Sequence, residues 1–155
     1  MNPSLSAELK QRRPFQSPAH EATLSILRTA AVINEQLDQV LKPFGLSAVQ
    51  FNVLRILRGA EPDALCRNDI RDRMLTRMPD VTRLLDRMEE AGLVRRAREG
   101  EDRRQVHTAL TDAGRALLSE VDPLVEAAHQ HRFSRLDPGQ LRTLIDLLTE
   151  VRHPQ

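Results

Sequence analysis

Apolar positions recur at helical spacing in two long blocks, one towards each end of the chain, with a more punctuated stretch between them. In the first block Ile26, Leu27, Ala30, Ile33, Leu37, Val40 and Leu41 form one stripe. Ser17-Pro18 supplies a cap and a proline at the first helical position, and Lys42-Pro43-Phe44-Gly45 stops the run. A helix is therefore predicted from there to about Leu41, with residues 1–16 ahead of it as a loose arm. Ser47 and Gln50 have the spacing of a capping box, which opens a second helix ending near Arg58 with Phe51, Val53, Leu54 and Leu57 facing inwards. In the second block, Thr111 caps a helix carrying Leu117, Leu118, Val121, Leu124, Val125 and Ala128. Pro123 is expected to kink or split that helix. Asp137-Pro138 opens a last helix bearing Leu141, Leu144, Ile145, Leu148 and Val151.

The middle stretch breaks this rhythm. A short helix is predicted from about Cys66 to Met74, and another from Met78-Pro79 to Glu90, with Gly92 as its left-handed stop. Residues 93–98 and 104–110 read as two strands joined through Gly100. In the second, Val106, Thr108 and Leu110 alternate with Gln105, His107 and Ala109. The order helix, turn, helix, hairpin describes a winged helix-turn-helix. The fold class is mainly α with a small β-hairpin: a lobe at 47–110 flanked by helices at 17–42 and 112–152, in one domain over 1–155. The flanking helices keep apolar stripes that nothing else in the chain is available to cover, so a second copy is the expected cover and the chain a homodimer.

On a helix over 78–90, Val81, Leu84, Leu85 and Met88 share a face that must be buried. The opposite face carries Pro79, Arg83 and Asp86, flanked by Thr82 and Arg87. A buried stripe presents such a face rigidly. Arg83 can then make a bidentate contact with guanine, and Thr82 can meet a phosphate or a thymine methyl. Arg77, ahead of the helix, suits phosphate. Asp86 is expected to orient Arg83 or Arg87. At the hairpin tip Asp102, Arg103 and Arg104 place arginines where a narrow minor groove would receive them, with a neighbouring acid to preorganise them.

Charge alters this picture only slightly. The formal net charge is +1, and residues 67–104 hold eleven Arg against nine Asp or Glu. That is no basic blanket, so DNA contact must come from a few well-aimed arginines. Of the lysines there are only Lys10 and Lys42, and arginine is the cation suited to forked contacts. No apolar run approaches the length of a membrane helix and the N-terminus has no signal-like core, so no membrane partner and a cytoplasmic location are expected. No glycine-rich phosphate loop, nucleophile elbow or His/carboxylate cluster stands at useful spacing, so neither an enzyme nor a cofactor is expected.

The residues Val81-Thr82-Arg83-Leu84-Leu85-Asp86-Arg87-Met88-Glu89, then Gly92-Leu93-Val94, Asp102-Arg103-Arg104 and Leu110-Thr111-Asp112-Ala113-Gly114, resemble in order and spacing the MarR (multiple antibiotic resistance regulator) family of dimeric winged-helix repressors. The resemblance covers nearly the whole helix order. It implies that Arg83 reads the major groove, that Arg104 enters the minor groove with Asp102 orienting it, and that the first and last helices dimerise. It implies a double-stranded DNA partner and, in many members, release by a small anionic or phenolic effector or by thiol oxidation. Two positions depart from the pattern. Leu75 stands where such turns often carry Gly, and Cys66 where a Ser or Thr cap is common.

Cys66 is the one thiol, at a helix start where a reactive thiolate is conceivable, but it has no resolving partner in the chain. His20 and Arg28 on the first helix are candidates for binding an effector anion, with ordinary surface roles the simpler reading. His129 and His131 stand two apart and diverge on a helix, so no metal site is expected. The expected function is a sequence-specific DNA-binding transcriptional regulator, a homodimeric repressor of a pseudo-palindromic operator. A winged-helix module that binds protein rather than DNA is the alternative.

Overall fold

A computed structural model describes residues 3–98 and 105–153. Its elements, in chain order, are α1 (Leu5–Glu8), α2 (Pro18–Leu41), a 3-10 turn (Lys42–Phe44), α3 (Ala48–Ala60), β1 (Leu65–Cys66), α4 (Arg67–Arg73), α5 (Val81–Glu90), β2 (Val94–Ala97), β3 (His107–Leu110), α6 (Asp112–Arg132) and α7 (Pro138–Arg152). The helix starts form where side chains can satisfy the free amides of a first turn. Ser17, Thr111 and Asp137 each accept such an amide, and the capping box of Ser47 and Gln50 closes in both directions. Gly92 takes φ 73° beyond α5, the left-handed conformation that ends a helix most cheaply in glycine.

The buried side chains make one cluster. Leu41 comes from α2, Phe51, Val53, Leu54 and Leu57 from α3, Ile70 from α4, Val81, Leu84, Leu85 and Met88 from α5, and Leu118, Val121 and Val125 from α6. Helices α2, α3 and α6 pack on one another, and α3 also backs the sheet and α4. The winged lobe is thus built directly onto the long helices.

Four expectations are corrected. Residues 1–16 are not wholly loose: Ser4 caps the single turn of α1, and Glu8 reaches Arg28 on α2, with Oε2 3.5 Å from Nε. The sheet has three strands, in the order β1-β3-β2, because Leu65 and Cys66 pair antiparallel with Thr108 and His107. Two residues are too few to show alternation in a sequence. Helix α5 begins at Val81 rather than Met78-Pro79, since Asp80 takes the cap position and accepts the Arg83 amide at 2.9 Å. Of the kink or split expected at Pro123, the split does not occur, and α6 runs as one helix through it. At the wing, β2 and β3 are shorter than the strands expected at 93–98 and 104–110. Thr108 and Leu110 are buried as the alternation requires, but Val106 is 38% exposed.

Candidate nucleic-acid interface

Helix α5 is fixed from behind. Val81, Leu84, Leu85 and Met88 are all buried, while Thr82, Arg83, Arg87 and Glu90 on its other side are exposed. The Arg83 amide is consumed by the Asp80 cap, but its guanidinium has no partner among the described residues. Arg87 lies back along the helix, with Nε 3.5 Å from the Arg83 carbonyl. Thr82 is not free to turn at will: Arg67, the first residue of α4, donates from Nη1 to its Oγ1 at 3.2 Å. Arg67 was not among the expected contacts, and nothing in its sequence neighbourhood marks it. Only the folding of α4 against α5 brings it beside Thr82.

The turn between α4 and α5 is held without glycine. Asn52 on α3 accepts the Leu75 amide at 3.0 Å, and the Leu75 side chain points outwards, 89% exposed. A side chain can stand at that position because it meets solvent rather than the core. Arg77 and Pro79 follow in this exposed turn, ahead of α5 rather than on its first turn.

Asp86 has a different partner from the one expected. Its Oδ1 lies 2.5 Å from Nη2 of Arg96, on β2, and neither Arg83 nor Arg87 takes it. Arg96 also engages Glu89, which accepts the Arg96 backbone amide at 2.9 Å through Oε1 and Nε at 2.9 Å through Oε2. These hydrogen bonds from Arg96 hold the Glu89 carboxyl below its ordinary value of 4.5. Partial burial opposes the Arg96 charge, but the bonds to Glu89 and Asp86 prevail and raise its pKa. Arg96 and Glu89 were missed because their partnership spans a helix end and a turn, a separation no helical or strand periodicity encodes.

A cavity of about 370 Å³ opens between the start of α4, the outer side of α5 and the sheet; Cys66, Arg67, Thr82, Arg96, Gln105 and Val106 line it. Cys66 occupies the cap position of α4 without capping a backbone amide. Its Sγ instead donates to Oδ2 of Asp69 at 3.1 Å, a bond that lowers the Asp69 pKa. His20 and Arg28 are both engaged by the segment before α2. Nδ1 of His20 accepts the Gln16 amide at 3.4 Å, its ring stands edge-on to Phe15, and Arg28 meets Glu8. Neither lines the cavity beside α5. Asp102, Arg103 and Arg104 lie outside the described residues. No group of His, Cys, Asp and Glu among the described residues could hold a metal ion, and no helix there is long and apolar enough to cross a membrane.

Residues 44–105 match the family model described as MarR family. A MarR transcription factor structure from Planctomyces limnophilus is 38% identical, with a TM-score of 0.67 over 88% of this chain and 98% of that one. The HTH-type transcriptional regulator PecS of Dickeya dadantii is 37% identical over 99 residues, 63% of this chain, which spans only 59% of PecS. A transcriptional repressor, CouR, solved on a 23-mer DNA duplex, shares the fold at 24% identity and a TM-score of 0.76, over 98% of this chain and 100% of that one.

Proposed function

We propose that this chain, which belongs to the MarR family and is a DNA-binding transcriptional regulator, acts in the cytoplasm as a homodimeric repressor of a pseudo-palindromic operator. Its two α5 helices would enter successive major grooves, with half-sites about 10 bp apart. The observation that carries this reading is α5 itself: four buried side chains fix it, and the outward Arg83 guanidinium is left without a partner among the described residues while Asp86 is occupied by Arg96. In this reading Arg83 contacts a guanine, Thr82 and Arg87 stand beside it, and Arg77 with the turn at Pro79 meets phosphate. Arg104 enters the minor groove, with Asp102 orienting it and Arg103 beside it. The repressor named among the structural neighbours supports the sense of regulation, and the exposed apolar side chains on α2 and α7 support the dimer. Release by a small anionic or phenolic effector completes the reading. At His20 and Arg28 such a ligand would have to displace the α1 segment.

The test is binding of wild type and variants to defined duplexes. Arg83→Ala should cost roughly 1–3 kcal/mol and relax base preference at one position per half-site. An equal loss on every sequence would make Arg83 a phosphate contact instead. Arg104→Ala should weaken binding most on sites with A·T-rich flanks, and a loss indifferent to the flanks would remove it from the minor groove.

A further inference from the structure

Strand β2 is an edge of the sheet, since the order is β1-β3-β2, and it is the strand that leads into the wing. An edge strand carries unpaired backbone groups and is held to its sheet from one side only. Here the missing side is supplied by a helix. Glu89 of α5 accepts the Arg96 amide at 2.9 Å, and its carboxylate is gripped by Nε at 2.9 Å and Nη2 at 2.8 Å of the same residue. Nη2 reaches on to Asp86 at 2.5 Å, one turn beyond Arg83 on the same helix. The Arg96 side chain is only 22% exposed.

We infer that Arg96 is a positioning residue of the DNA-binding surface, clamping the first wing strand to α5 so that helix and wing meet the duplex in one register. The inference rests on the reading of α5 and the wing as the two DNA-reading elements. An isolated exposed ion pair would carry little weight. This one is a planar fork between two carboxylates, with a backbone amide bound to the same acid, and that geometry fixes direction as well as distance. It also offsets two negative charges on a helix that must approach phosphates. Its Nε and Nη2 are taken up by Glu89 and Asp86, so Arg96 serves the interface by joining α5 to β2 rather than by reading DNA.

The test compares full-length wild type with Arg96→Ala and Arg96→Lys, the latter keeping the charge while losing the fork. In the free protein, amide hydrogen exchange at 94–97 and 107–110 should rise at least tenfold in Arg96→Ala and less in Arg96→Lys, with α3 and α6 unchanged. On duplexes varied at one position at a time, both variants should keep the wild-type base preference at the Arg83 position and lose discrimination between A·T and G·C flanks. Unchanged exchange in the strands would overturn the inference. So would a matching rise in α3 and α6, because Arg96 would then support the fold at large. If the strands loosen but wild type itself shows no flank discrimination, the clamp stands and the minor-groove reading falls.

Discussion

At the scale of single residues, close approach and hydrogen bonding decide more than charge does. Gly114 is the sharpest case. A Cβ built there would stand 2.2 Å from the Leu93 carbonyl oxygen, because the first turn of α6 packs directly on the backbone at the root of the wing. Backbone cannot yield as a flexible side chain can. Gly114→Ala should therefore destabilise by about 1–3 kcal/mol, and calorimetry should record the melting temperature falling by about 2–4 °C per kcal/mol. Glu89 gives a pH signature. Its carboxyl pKa is lowered in the folded protein, so its contribution is present above the ordinary value of 4.5 and is lost as pH falls through the depressed one. Melting curves should show wild type more stable than Glu89→Gln at neutral pH, with the gap closing on acidification below about pH 4. The Cys66 Sγ donates to Asp69. Cys66→Ser should keep both the DNA affinity and whatever response to peroxide the wild type shows, and a response abolished by that change would make Cys66 the switch.

At the scale of elements, the sequence announces what depends on local periodicity and caps, and hides what depends on meeting across the chain. The long helices, the buried stripe of α5 and the stop at Gly92 are all legible, because each is written within a few turns of chain. The start of α5 was placed too early because Pro79 looks like a first-turn proline, whereas the Asp80 side chain captures the Arg83 amide and sets the start at Val81. Strand β1 was invisible because it exists only by pairing with β3. The α4–α5 turn owes its shape to Asn52, more than twenty residues away, and not to a glycine. For the interface the same division holds. The outward face of α5 could be read from spacing, but the assignment of Asp86 to a neighbour on its own helix missed Arg96, which the corner at Gly92 folds back against it. Asn52→Ala should loosen that turn, raising amide exchange at Leu75 and weakening DNA binding by less than Arg83→Ala does.

At the scale of the whole molecule, the long helices are incompletely used by one chain. Helix α7 has no buried residue, and α2 buries only Leu41. Leu27 is 61% exposed, Leu147 60% and Val151 63%, on helices that flank the winged lobe. On the proposed reading a second copy covers this apolar surface, as a repressor reading two half-sites would also require. Light scattering should give a mass near twice the 17.6 kDa of the chain. Ile145→Asp with Val151→Asp should leave monomers whose affinity for a full operator falls by at least about a hundredfold through lost bivalency. The near-balance of charge, +1 overall, means that this protein cannot rely on a diffuse basic field to find DNA. On the proposed reading its affinity comes from aimed contacts made twice.

The most direct measurement is selection of bound duplexes from a random pool by the full-length protein, at two salt concentrations. The account predicts enrichment of a pseudo-palindrome with half-sites about 10 bp apart, and a log affinity that falls steeply with log salt as phosphate contacts are lost. Enrichment of a single unrepeated half-site, or no enrichment together with salt-insensitive binding, would contradict a homodimer that reads its operator through paired α5 helices.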